Sequence, residues 1–178
     1  MKAIVVYESL WGNTATIARA IAEGIGPQAR ALTTSDATAA EIAGADIIVA
    51  GAPVLGFNLP TDKMREGIRR SPGRAPAPPD LSHPAMHSWL EALPLGRGHS
   101  AAFETRVRGP FGHSAPTISE GLERAGYAPI VGPAEFIVSG RYGPLRDDEP
   151  ERARRWGAEL AALAARYVPD LRTLPGAP

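Results

Sequence analysis

Apolar runs alternate with stretches of helical periodicity along most of this chain. The first run, Ala3-Ile4-Val5-Val6-Tyr7, is continuous and rich in β-branched residues, as in a strand buried on both faces. Ile17 and Ile21 with Ala18 and Ala22 then mark one face of a helix from Thr14 to Gly24, which Gly24, Gly26 and Pro27 end. Ala29 to Leu32 reads as a weaker second strand, and Thr38-x-x-Glu41 as a capping box for a short second helix. Asp46 to Gly51 is a strong third strand, and a helix starts at Pro60-Thr61 and runs to about Arg70.

The pattern then breaks. Residues 71–80 are rich in Pro and read as a surface loop. Pro84 to Leu93 predicts a short helix whose Trp89, Leu90 and Leu93 cover a sheet. His99 to Glu104 is a fourth strand, shorter and less apolar, and Ser114 starts a helix that Gly126 stops. Glu135 to Ser139 is the fifth strand. Asp148-Glu149-Pro150 has the acids and early Pro favoured at a helix start, and Ala153, Trp156, Leu160, Leu163, Ala164 and Tyr167 form one apolar stripe after it. Five strands with helices between them predict an α/β fold in which a parallel sheet is covered on both faces.

Composition narrows this picture. A chain of 178 residues suits one domain, taken here as residues 1–168, with 169–178 as a Pro-rich C-terminal tail. The formal net charge is zero, so nothing global argues for nucleic acid or an anionic membrane. The absence of Cys excludes disulfides, thiol catalysis and Cys-ligated metals. The four His form no zinc-ligand spacing in helix register, and no metal site is expected. No apolar run approaches the ~20 residues of a membrane span, and no leader pattern precedes the first strand; the expected location is cytoplasmic.

The chemistry concentrates where the first strand meets the first helix, at Ser9-Leu10-Trp11-Gly12-Asn13-Thr14. A helix start exposes unpaired backbone N–H groups and partial positive charge, so a phosphate there is held without Lys or Arg. The loop contains neither, and it is not a P-loop, because no Gly-Lys-Ser/Thr follows. It resembles the phosphate loop of the flavodoxin family, in which Ser/Thr-x-x-Gly-Asn-Thr follows the first strand and grips the 5′-phosphate of FMN; Ser9, Gly12, Asn13 and Thr14 carry the match.

That resemblance covers about residues 2–167 and implies a three-layer flavodoxin-like fold, a five-stranded parallel sheet of order 2-1-3-4-5 with helices on both faces. The ligand of such a sheet lies at the switch between strands 1 and 3, so the loops after strands 3 and 4 are expected to be ligand loops too. The first is Pro53-Val54-Leu55-Gly56-Phe57 and the residues that follow; its apolar character suits a flat ring system. The family's loop here packs beside the flavin, and a flexible peptide near its tip adjusts to the N5 protonation state, a place taken by Gly56-Phe57. The second spans Thr105, Arg106, Val107, Arg108, Gly109 and Phe111. Here the family meets the pyrimidine edge of the ring; Phe111 is a second ring neighbour, and Arg106 or Arg108 offsets charge on the reduced ring.

The chain departs from the family in being neutral rather than acidic, in offering Phe57 and Phe111 where Trp and Tyr commonly flank the flavin, and in the segment 71–94. The first expectation is an FMN-binding electron carrier with redox partner proteins as donor and acceptor. A second is an FMN-dependent NAD(P)H/quinone-type oxidoreductase with 71–94 as a lid. A third is a module that has lost FMN and serves in interaction or regulation. No general base or nucleophile is evident, and Glu8, though adjacent to the first loop, has no triad partners at suggestive spacing.

Overall fold

The first apolar run forms β1 (Ala3–Tyr7), every residue of it buried, and Gly12 turns the chain directly into α1 (Asn13–Ile25). The computed structural model describes residues 1–173. Its further elements are β2 (Ala29–Thr33), α2 (Ala39–Ile42), β3 (Ile47–Pro53), α3 (Asp62–Arg70), α4 (Met86–Ala92), β4 (Gly98–Val107), α5 (Ala115–Arg124), β5 (Tyr127–Pro129), β6 (Ala134–Val138) and α6 (Glu149–Thr173). The sheet is parallel, in the order β2-β1-β3-β4-β5, with β6 also paired to β4. The predicted fold class and strand order hold.

Strand alternation divides the core into two layers. Ala3, Val5 and Tyr7 of β1, Ile47 and Val49 of β3, Phe103 of β4 and Phe136 of β6 face α1 and α6. Ile4, Val6, Ile48, Ala50 and Ala102 face α2, α4 and α5, where Met86, Trp89, Ile118 and Leu122 cover them. Trp89 packs as expected, and its Nε1 donates to Ala37 O at 2.9 Å. Thr38 caps α2 by accepting from the Glu41 N–H. The reciprocal half of the box is missing, because the Glu41 carboxylate pairs with Arg30 instead.

Two expectations are corrected. The fourth strand extends three residues beyond Glu104. Thr105, Arg106 and Val107 pair with Phe136, Ile137 and Val138, so the β-branched Thr105 and Val107 belong to the ladder and the loop begins at Arg108. The fifth strand is in two pieces. β5 pairs with the start of β4 and β6 with its end, and between them lies 130–133, flanked by Pro129 and ending in Pro133. Neither Pro supplies an N–H to the ladder. Of the predicted C-terminal tail, 169–173 continue α6, and 174–178 lie outside the described residues.

Candidate functional site

At Gly12 the chain takes φ 88°, a left-handed conformation that glycine adopts without steric cost. The first backbone bond of α1 is Thr16 N–H to Gly12 O, 3.0 Å. The N–H groups of Asn13, Thr14 and Ala15 therefore have no carbonyl one turn earlier to receive them. Ser9 Oγ accepts from Gly12 N–H at 3.1 Å, closing the loop on itself. Thr14 Oγ1 lies 2.8 Å from Thr105 Oγ1, a buried contact that ties this loop to the end of β4.

The loop after β3 is a tight hairpin. Leu55 and Asn58 exchange backbone hydrogen bonds of 2.9 and 3.1 Å, and the residues between them, Gly56 (φ 53°) and Phe57 (φ 73°), both have positive φ, as a type I′ turn requires. Phe57 is the one non-glycine residue with positive φ among those described. An L residue there costs about 1–2 kcal/mol, and such strain tends to be stored at functional sites. Phe57→Asn, which tolerates this conformation, is expected to raise stability by about 1 kcal/mol in denaturant unfolding; a loss of stability instead would remove the strain assignment. The Phe57 ring is exposed and lies 6.3 Å from that of Phe111 in the loop after β4.

These three loops surround one cleft of about 490 Å³. Ser9, Leu10, Trp11, Asn13, Thr14, Pro53, Val54, Leu55, Gly56, Phe57, Thr105, Arg106, Val107 and Phe111, all candidate site residues from the sequence, come together in its lining. Gly12 and Gly109 do not, although both stand at positive φ in the turns that shape it. Arg108 is also absent from the lining, and so is the whole of the segment 71–94. It braces the first loop instead, with Asp80 N–H donating to Leu10 O at 2.8 Å.

A fourth loop, after β6, was missed by sequence reasoning. Val138 and Arg141 line the cleft. Tyr142 packs edge-on against Trp11, with ring centroids 4.8 Å apart, and its carbonyl accepts from Asn13 Nδ2 at 3.1 Å. The signal available in sequence was position alone. This loop leaves the sheet at the same carboxyl edge as the other three, where ligands of such sheets lie.

Buried charge supports the loops from behind. Glu8, fully buried, pairs with Arg65, and its other oxygen accepts from Met86 N–H at 2.8 Å. Arg65 also donates to His83 O, and His83 Nε2 lies 3.3 Å from Ser9 O. Burial raises the Glu8 carboxyl above its ordinary range, opposed by the Met86 bond and by Arg65. Glu104 caps α5 by accepting from Ser114 and Ala115 N–H at 2.7 and 2.8 Å. Glu104, His113 and Glu135 come within 4.8 Å of one another, but Arg106 Nη1 sits among them, 3.8 Å from Glu104 and 3.1 Å from Glu135. The guanidinium takes the place of a cation there.

No family model matches the sequence, and no curated protein matches it. Solved structures do resemble it. A flavodoxin from the domain Archaea superposes with a TM-score of 0.64 at 21% identity, over 93% of this chain and 99% of that one. Flavodoxin 1 from Bacillus cereus gives 0.62 at 19%, over 94% and 99%. A flavodoxin, WrbA-like protein from Agrobacterium tumefaciens gives 0.61 at 18%, over 93% and 98%. The chain therefore has the flavodoxin-like fold.

Proposed function

We propose that the chain binds FMN in this cleft and works as an electron carrier. The observation that carries the reading is the polarity of the cleft. One end is a helix start whose three leading amides lack carbonyl partners, beside Ser9 and Thr14 hydroxyls; the other is walled by Leu55, Phe57 and Phe111. That is the chemistry of a phosphate joined to a flat apolar ring. The donor set also fits, since no carboxylate among the described residues lines the cleft to repel a phosphate. Trp11 Nε1, shielded from solvent and without a partner, leaves one further donor in the phosphate loop.

Bound FMN would supply the one- and two-electron redox chemistry. The chain's own residues bind and orient it. Ser9, Asn13 and Thr14 hold the phosphate, with Gly12 setting the turn, and Phe57 and Phe111 flank the ring. Arg106 holds a fixed positive charge beside the third loop. No Asp, Glu or His among the described residues lines the cleft. A carrier needs a separate donor and acceptor, and we assign it redox partner proteins. No helix among the described residues is long and apolar enough to cross a membrane.

Quenching of FMN fluorescence on titration with the protein tests the reading. Saturable quenching is expected; its absence would leave the fold as an interaction module without flavin. Thr14→Ala is expected to weaken FMN binding by about 1–3 kcal/mol, and unchanged affinity would remove the phosphate assignment. Thr105→Val separates the two roles of the Thr14 hydroxyl. It removes the inter-loop contact while sparing the Thr14 donor, and a smaller loss is expected. NAD(P)H oxidation with a quinone, without any added reductase, would favour the oxidoreductase instead.

A further inference from the structure

We propose that Arg141 is the cation of the anion site, pairing with the phosphate monoester of the bound flavin and making the cleft select phosphorylated over unphosphorylated ring systems. The inference rests on the FMN reading above and adds to it a residue that the helix start alone does not supply.

Among the described residues, only two charged side chains line the cleft, Arg106 and Arg141. Arg106 is committed elsewhere. It donates to Gly109 O, pairs with Glu135 at 3.1 Å and lies 3.0 Å from His113 Nδ1. Its charge is balanced by Glu104 and Glu135, and each of its three nitrogens has a partner. Arg141 makes no hydrogen bond or ion pair among the described residues. Its guanidinium rests over the Tyr142 ring, 5.5 Å from the centroid, a stacking that pre-orders an arginine while leaving the edge of its fork free.

Tyr142, the next residue, joins the loop that carries Arg141 to the phosphate loop. Tyr142 touches that loop twice, by its carbonyl with Asn13 and by its ring with Trp11. The next residue, Gly143, approaches so closely that a Cβ there would lie 2.6 Å from Asn13 Oδ1. Arg141 is thus one residue from the seam between the fourth loop and the start of α1. A helix N-terminus offers only about half a unit of positive charge, whereas a phosphate monoester carries nearly two negative charges at neutral pH. A planar guanidinium matches two phosphate oxygens and offsets the remainder.

The test measures dissociation constants for FMN and riboflavin by fluorescence quenching, at low and high salt. Arg141→Gln is expected to weaken FMN about tenfold, to leave riboflavin within about twofold, and to flatten the salt dependence of FMN binding. Arg141→Lys keeps the charge without the fork and should recover part of the loss. Arg146→Gln, which removes an exposed cation from the same connection outside the cleft lining, should match the parent protein. Equal weakening of both ligands, or of neither, would overturn the proposal.

A second measurement uses inorganic phosphate alone. The Trp11 indole N–H resonance, assigned with Trp11→Phe, should shift saturably in the parent protein and not in Arg141→Gln. A protein that binds no flavin yet shows this Arg141-dependent shift would overturn the FMN reading and keep the arginine assignment. The same shift in both proteins, or no response to either phosphate or FMN, would overturn the assignment.

Discussion

Arg65→Met is expected to lower the free energy of unfolding by about 3–5 kcal/mol, and to do so most at neutral and alkaline pH. Glu8 has no exposed surface and Arg65 only 6%. Without the guanidinium, the carboxylate keeps one strong donor, Met86 N–H at 2.8 Å, for a charge fully removed from water. Burial already holds the Glu8 carboxyl above its ordinary 4.5, against the lowering influence of Met86 and Arg65. Losing Arg65 raises it further. A carboxyl whose folded value exceeds its unfolded value is protonated in both states below the unfolded one, and it carries its full burial cost only above the folded one. The deficit of the variant therefore grows as pH rises through that window and narrows on acidification toward 4.5.

Denaturant unfolding at about pH 5 and about pH 8 reads this directly. Equal deficits at the two pH values, or a deficit below about 1 kcal/mol, would mean that water reaches the pair. Glu8→Leu with Arg65→Met should recover most of the loss, because an apolar pair removes the uncompensated charge as well as the bond. The consequence extends to the cleft. Arg65 bonds His83 O, and His83 Nε2 lies 3.3 Å from Ser9 O, so the pair fixes the floor under the phosphate loop. In the double variant, stability should recover further than FMN affinity.

Glu8 also marks what sequence could and could not disclose. The loop from Ser9 to Thr14 was legible because its parts are contiguous: a strand end, a glycine turn and a helix start within a few residues. The apolar residues of the second loop were legible for a different reason, since a solvated loop has no need of Leu55 and Phe57. The partner of Glu8 was not legible, because Arg65 lies 57 positions away and reads locally as one more polar residue of a cationic helix. The fourth loop was hidden in the same way. Asn13 meets Tyr142 across 129 positions, a contact that exists only once β6 has taken its place beside β4. Arg106 and Val107 read as loop residues in the sequence because their pairing depends on β6 as well. Local chemistry announces a site; the residues that hold it rigid are contributed by topology.

Gly112→Ala is expected to destabilise the protein by about 2–5 kcal/mol, from the sum of left-handed strain and overpacking, and to damage the ring end of the cleft more than the phosphate end. Gly112 stands at φ 73°, and a Cβ on it would fall 1.8 Å from Phe57 O. That contact is between backbones, so no side chain can rotate away to relieve it. Either the loop after β4 retreats, carrying Phe111 with it, or the Gly56-Phe57 turn shifts; both separate rings that now lie 6.3 Å apart. The contrast is Gly12→Ala, which shares the positive φ but has nothing within 4 Å of the added carbon. It should cost only the strain, about 1–2 kcal/mol, and act on the phosphate end. Comparing FMN with riboflavin separates them. Gly112→Ala should weaken both ligands by the same factor, since both carry the ring, whereas Gly12→Ala should weaken FMN and spare riboflavin. If Gly112→Ala leaves riboflavin affinity intact while lowering stability, the two apolar loops hold each other and not a ligand, and the ring end of the site must be sought elsewhere along the sheet edge.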